Sequence, residues 1–590
     1  MVYFNDIIVS QQITMNRNSN PEKINICHNS HLRLLPGMVI VILQWIIGFI
    51  VPLIIPETLV AGVFAGMLGG LAVIIWWIFF SRAKNIDRFG PVILIFISLY
   101  AASRFLHESI KTGNMGLMFI IYAIPVMSIA FVIAVLIGSF FSSTPRRVIA
   151  AVSIIIASGG WILLASNGID GNGRPDFTWR WILGRGNSCP VQTPDESYET
   201  PPLVQEDAKT AWTGFRGANR DSVIRGTSIN ANWPVNPPRE LWRRPVGAGC
   251  SSFAAGGNLL YTQEQNGDYE VVSCYDLLTG KPVWKHKDKA RFYDSHAGAG
   301  PRSTPALAGN RLYTLGATGI LNALDARSGT VVWSRDAAKD SGVKAITWGF
   351  TGSPLVVGKI VITALAGKLA AYESSDGTPR WFGPDGGNSY SSPQLFISYG
   401  IPQILHMSRY GARSFDPSSG RQIWQHPWEI SDRILQPAVT ETGGLLLALE
   451  TKSLRHIAVL HKNEQWDIKE IWTTADMNAN FTDYVIHKNH AYGFYGPGIA
   501  CLDIKNGLRK WKGGRCRGFT LLLADQDLLI VVSEKGEAVL ISALPEKFTE
   551  LGRFQAVTGK TWNHPALSGN ILLVRNAREM AAFDLAAPDI

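Results

Sequence analysis

Two rhythms of apolar and polar residues divide this chain. Up to residue 166 the apolar residues run in long blocks with short polar links between them, at 38–55, 59–80, 89–103, 116–141 and 148–166. None of these blocks contains Asp, Glu, Lys or Arg. Crossing a bilayer as a helix takes about 20 such residues, so the blocks predict five transmembrane helices, the third shorter than the rest. Pro52 and Pro125 fall inside two blocks and predict kinks. Trp45, Trp76, Trp77, Tyr100 and Trp161 are expected near the membrane interfaces.

After residue 240 the rhythm shortens. The stretch 300–336, GPRSTPALAGNRLYTLGATGILNALDARSGTVVWSRD, holds four apolar runs of about five residues, punctuated by Gly, Asn, Asp and Ser. That is the pattern of a four-stranded antiparallel meander. Its ending, Asp325…Gly329…Trp333, returns as Asp276…Gly280…Trp284, Glu373…Gly377…Trp381, Asp416…Gly420…Trp424 and Asp503…Gly507…Trp511. Weaker copies end at Trp472 and Phe554. Trp242 stands alone before the first unit, and the last unit stops after Asp584 without its aromatic strand. Eight anchors result, 39 to 49 residues apart. The orphan first strand and the incomplete last unit complement each other, which predicts ring closure, since closure alone removes exposed sheet edges.

The A-x-D-x-x-[TS]-G-x-x-x-W ending resembles the tryptophan-docking repeat of PQQ-like (quinoprotein) β-propellers, from about Trp242 to the C-terminus. The resemblance implies structural roles for these residues, with each Trp stacked between blades. The Phe-Arg-Gly-x-Asn-Arg-Asp string at 215–221 also resembles the lead-in of bacterial PQQ-like proteins, which implies that Arg216, Arg220 and Asp221 are ion-paired and structural. The expected fold class is an N-terminal all-α transmembrane bundle followed by an all-β eight-bladed propeller. The expected domains are a polar tail at 1–37, a membrane domain at 38–166, a linker and lead-in at 167–240, and the propeller at 241–590.

Charge adds topology. If the N-terminus is cytoplasmic, the inside segments hold eight Lys and Arg and the outside loops only Arg104 and Lys111. The positive-inside rule then puts the propeller outside the cytoplasm, on the periplasmic side of an inner membrane. Residues 1–37 lack an apolar core followed by a small-residue cleavage site, so no cleavable signal is expected. The formal charge of +9 divides into +5 on residues 1–166 and +4 on the other 424. That is too dilute for a nucleic-acid footprint. With no charge inside the blocks, the membrane segment reads as an anchor rather than a transporter. Cys27 would be cytoplasmic, and the other five, 189, 250, 274, 501 and 516, outside. Cys250 with Cys274, or Cys501 with Cys516, are the pairs that spacing leaves open. No C-x-x-C-H haem site occurs.

A propeller binds ligands at one mouth of its axis, on the loops that lead into the innermost strands. Those positions hold Arg302, Trp348, Asn388, Tyr390, Arg433, Gln436, Asp483, Trp562, Asn563 and His564, with Asn480 and His296 nearby. The mixture of aromatic, amide and cationic groups suits a polar ligand. It equally suits strand capping. The family resemblance implies two functions. One is a PQQ-dependent dehydrogenase holding PQQ with calcium and passing electrons to membrane quinone. The other, favoured here, is a non-enzymatic scaffold that binds a ligand or an envelope protein. The chain departs from the dehydrogenases in lacking an adjacent Cys-Cys pair and in having almost no acidic residues at the mouth.

Overall fold

The long apolar blocks form helices, and the short runs form strands. In the computed structural model, residues 32–55, 58–169, 174–181, 211–428, 434–449, 453–478 and 481–586 are described. The chain divides into two compact units, residues 1–102 with 121–159, and residues 103–120 with 160–590.

Five helices are long and apolar enough to cross a membrane: α1 (Leu35–Ile54), α2 (Leu59–Phe80), α3 (Asn85–Phe105), α4 (Met118–Gly138) and α5 (Ser143–Leu163). The third is as long as the others. Its helix starts in the polar stretch before residue 89, where the Trp77 indole donates to the carbonyls of Asp87 (3.2 Å) and Arg88 (3.0 Å). The first unit contains one buried polar crossing: Gln44 Nε2 donates to Gly66 O at 2.6 Å. Trp77 packs edge-on against Phe131 at 5.0 Å. The last apolar block is shorter than expected as a helix. Leu164–Ile169 leaves α5 as a strand and pairs antiparallel with Pro175–Trp179, and Phe177 from that hairpin meets Trp161 edge-on.

The second unit carries eight antiparallel sheets in meander order. We number them by their residues: sheet 1 (254–288), sheet 2 (306–336), sheet 3 (355–382), sheet 4 (394–426), sheet 5 (438–474), sheet 6 (485–513), sheet 7 (518–555) and sheet 8 (566–584). Sheet 8 is completed by Arg239–Pro245, which pairs with Glu579–Asp584 and sets Trp242 opposite Ala582. The orphan strand and the incomplete unit therefore do join. The aromatic anchors all lie on the outermost strands.

The repeat's polar residues explain its geometry. Asp276 Oδ1 accepts from Thr279 N (2.8 Å) and tightens the turn that Gly280 closes. A carbonyl in the turn, the one after the acid in every case but Leu544 (which follows Ala543), then accepts the indole N–H of the preceding sheet. Trp242 donates to Leu277 O, Trp284 to Ala326 O, Trp333 to Ser374 O, Trp381 to Pro417 O, Trp472 to Ile504 O and Trp511 to Leu544 O, all at 2.8–3.0 Å. Two junctions differ. Trp424 donates to Gln403 Oε1 of its own sheet (2.7 Å), facing a sheet 5 whose last hairpin, Ser453–Lys462 with Gln465–Thr474, has no Asp-Gly turn. Phe554 has no N–H to give and meets Phe583 edge-on at 4.8 Å. The four described cysteines, 250, 274, 501 and 516, are free thiols, so neither open pairing forms.

The dock predicts unequal costs at two left-handed glycines. Gly280 has φ +66°, and a Cβ there would meet the Trp242 ring at 2.6 Å; Gly267 has φ +58° and open space. Gly267→Ala should cost about 1 kcal/mol from backbone strain alone. Gly280→Ala should cost about 1–3 kcal/mol more through overpacking. Denaturant unfolding followed by tryptophan fluorescence would measure both.

Candidate binding face

The loops that feed the innermost strands are short and rich in Ser, Thr and Asn, followed by Pro, at 303–305, 352–354, 391–393 and 563–565. The proline has no N–H to leave unpaired. The hydroxyls satisfy the backbone groups next to it, one sheet reaching to another. Ser252 N donates to Thr304 Oγ1 (3.1 Å), Thr304 N to Ser353 Oγ (2.9 Å), and Ser353 N to Ser392 Oγ (2.9 Å). Gln436, with its amide turned to satisfy both ends, accepts from Ser392 N (2.7 Å) and donates to Ser392 O (2.8 Å). Asn563 Nδ2 donates to Gly249 O and Ser251 O (3.0 and 2.7 Å). Gln436 and Asn563, expected as ligand contacts, thus spend their amides on neighbouring sheets.

The lead-in occupies the place between the sheets. Trp212 bridges to Ala255 of sheet 1, Leu307 N of sheet 2 donates to Thr213 O (2.8 Å), and Phe215 meets His564 at 4.8 Å. Val223–Ile224 pairs parallel with Leu522 and Leu523 of sheet 7. Arg216 Nη2 donates to Tyr484 O (3.0 Å), and its Nε lies 3.6 Å from Asp483. Arg220 donates to the carbonyls of Ser353 (3.1 Å), Pro393 (2.7 Å) and Pro354. With no carboxylate in the shell, burial pulls the Arg220 pKa down to about 9. Both arginines sit in left-handed backbone, at φ +60° and +57°. Such conformations are strained for non-glycine residues and persist where surrounding contacts hold them.

The charged candidates are consumed in the same way. Asp483 is buried between Arg216 and His564, whose Nδ1 lies 2.9 Å from Oδ2. Burial raises its carboxyl, but Arg216 and His564 together outweigh burial and hold it below the usual range. Arg302, expected as the first anion contact because GPRSTP contains no acid, has its acid eight residues earlier: its Nη2 pairs with buried Asp294 and also donates to Gly298 O at 2.5 Å. The aromatic candidates remain together. Trp348 lies 4.5 Å from Tyr390, 6.1 Å from Phe481 and 5.9 Å from His296. Trp562 lies under the Lys560 ammonium at 3.9 Å. Asn388 is half-buried, and its carbonyl accepts from Arg409 N. Arg433 and Asn480 fall outside the described residues.

The same face carries groups that the sequence reading passed over. A cavity of about 510 Å³ opens between the loops of sheets 8 and 1, lined by Lys560, Gln265 and Tyr293, and by His107 and Asp176 from segments of the same unit. Lys560 Nζ donates to His296 O (2.8 Å), and burial lowers its pKa. Glu270 accepts from Ala317 N through one oxygen (3.0 Å), while the other has no hydrogen-bond partner. Burial pushes this carboxyl up to about 7. The available signals were a lone Lys beside Trp562 and a lone Glu opening the apolar strand YEVVSCYD.

Residues 234–394 match the family model described as outer membrane protein assembly factor BamB. The repeats within that stretch are thus similar to PQQ-like repeats, and the β-rich unit they belong to has a propeller-like fold. Among curated relatives, BamB of Yersinia pestis is 25% identical over 153 residues, 24% of this chain and 36% of that protein, so the chain spans about a third of that relative's length. Among solved structures, the quinohemoprotein alcohol dehydrogenase of Comamonas testosteroni superposes with a TM-score of 0.50 at 13% identity, over 65% of this chain and 81% of the other. BamB of Moraxella catarrhalis gives 0.43 at 13%, over 59% and 99%.

Two predictions follow from the buried charges. Removing either partner of Arg302–Asp294 strands the other, at about 3–5 kcal/mol. Arg302→Ala and Asp294→Ala should each be destabilising, and the double variant should lose clearly less than their sum; additive losses would mean the pair is not coupled. For Glu270, a folded pKa of about 7 against an ordinary 4.5 means the folded state holds the proton more tightly. Its contribution is complete below about pH 4.5 and is lost as pH rises through 7. Glu270→Gln should therefore change stability little at pH 4, raise it by up to about 3 kcal/mol at pH 8, and flatten the pH profile between.

Proposed function

We propose that this chain is a membrane-anchored, eight-bladed PQQ-like propeller held outside the cytoplasm, and that it works as a binding scaffold rather than a dehydrogenase. The observation that carries this reading is the lead-in: residues 212–224 bond to sheets 1, 2 and 7, and Arg216 and Arg220 are bonded to the loops that feed sheets 3, 4 and 6. The donor set does not fit calcium with a quinone, because the carboxylates Asp483 and Asp294 are buried and already paired, Asp483 with Arg216 and the His564 ring and Asp294 with Arg302. Among the described residues no three His, Cys, Asp or Glu side chains converge as metal ligands. What this face offers a partner is aromatic, at Trp348 and Trp562 with buried Tyr390 packed against Trp348, and Asn388 and Arg433 are proposed as further contacts.

The matched relatives are named as an assembly factor, which supports an envelope protein as the partner of this domain. The positive-inside count favours an inner membrane with a cytoplasmic N-terminus, an anchor at 38–166, a linker at 167–240 and a periplasmic propeller at 241–590. Closure into eight blades is supported by the pairing of Arg239–Pro245 with the last strand.

Adding PQQ with Ca²⁺ to the purified full chain should give no saturable change in quinone absorbance. Saturable binding with substrate-dependent reduction would overturn the scaffold reading in favour of the dehydrogenase. A reporter active only in the cytoplasm should be silent when fused after Ile590 and active when fused after Arg88. The opposite pattern would reverse the topology.

A further inference from the structure

The membrane unit contains a pocket that an anchor alone does not need. It has a volume of about 290 Å³ and lies among the ends of α2 to α5. Its floor is apolar, with Trp77, Leu94, Val135 and Ile154 lining it. Its rim is charged and unbalanced: Lys84, Arg146 and Arg147 face one carboxylate, Asp87. Arg147 uses that carboxylate, with Nε 2.5 Å from Oδ1. Arg146 is left over. Its Nε is buried and has no hydrogen-bond partner among the described residues.

The position of the two arginines sharpens this imbalance. Arg146 closes the first turn of α5 and Arg147 lies just beyond it, and that turn contains no acidic residue. The N-terminal end of a helix carries the positive end of the macrodipole and disfavours cations. An unpaired buried guanidinium N–H adds a further cost. An anion seated at the rim would relieve both, and a hydrocarbon chain would fill the floor.

We propose that this pocket binds an anionic lipid, with the phosphate at Arg146 and Lys84 and the start of an acyl chain against Trp77 and Leu94. Basic pockets between membrane helices recognise such headgroups by this charge pattern. The site is independent of the propeller and of whatever the propeller binds.

The test uses the full chain, delipidated in a non-ionic detergent, with native mass spectrometry and thermal unfolding as readouts. Phosphatidylglycerol should form one saturable adduct and raise the melting temperature at concentrations about tenfold below those needed for phosphatidylcholine of the same chains. Glycerol phosphate, the headgroup without the chain, should not displace it at equal concentration. Arg146→Gln should weaken phosphatidylglycerol binding about tenfold, the scale of one charge-assisted hydrogen bond. Should that variant fail to fold, Lys84→Gln at an exposed position reads the same contact. Arg82→Gln, next to the pocket but not lining it, should bind as the parent does. Equal binding of the two lipids, undiminished binding in Arg146→Gln or Lys84→Gln, or displacement by glycerol phosphate alone would each overturn the proposal, the last by reducing the site to a simple anion site.

Discussion

An indole N–H given to the backbone carbonyl of the next sheet is the interaction on which the β unit depends. Alone it is worth about 1 kcal/mol. Its effect comes from repetition and from what five of the six docks share: an acid to shape the receiving turn, and a glycine where the ring lies too close for a Cβ. These requirements explain why Asp, Gly and Trp recur together, and why none of them is free to do chemistry.

The second constraint is the disposal of charge. The face between the sheets collects arginines, acids and a lysine, and nearly all are satisfied from within. Arg220 is held by three carbonyls, Arg302 by a carboxylate and backbone, and Asp483 by Arg216 and the His564 ring. A ligand would have to compete with these internal partners. Around Trp348 the contacts are ring against ring, with Tyr390 at 4.5 Å, so the chemistry this face offers is aromatic rather than ionic.

What could be read in the sequence follows the distance over which each feature acts. The meander, the turns and the helices are local, and five-residue runs, glycines and uncharged blocks announced them. The pairing of Arg239–Pro245 with the final strand was also legible, because an orphan strand and an incomplete unit have one economical solution. The candidate site was less legible because its bonds join distant residues. Arg220 reaches carbonyls at 353 and 393, and Asn563 reaches 249 and 251. A list of polar residues at loop positions cannot show which are already paired. The limits of α3 and α5 were misjudged for a related reason: Asn85–Arg88 is polar yet helical, and Leu164–Ser166 is apolar yet forms a strand by pairing with residues 177–179.

The two exceptional junctions give the β unit a mechanical character. Going round the sheets in order, indole joints bind 8 to 1, 1 to 2, 2 to 3 and 3 to 4, and again 5 to 6 and 6 to 7. The joints at 4 to 5 and at 7 to 8 lack that bond. The indole bonds therefore run through one arc of five sheets and one of three, and the arcs meet at two joints held by apolar packing instead. The lead-in ties them together: Arg220 is fastened to sheets 3 and 4 on the larger arc, while Arg216 and Val223–Ile224 are fastened to sheets 6 and 7 on the smaller. Fastened on both sides, the lead-in passes a load on one arc to the other across the two joints that lack the indole bond.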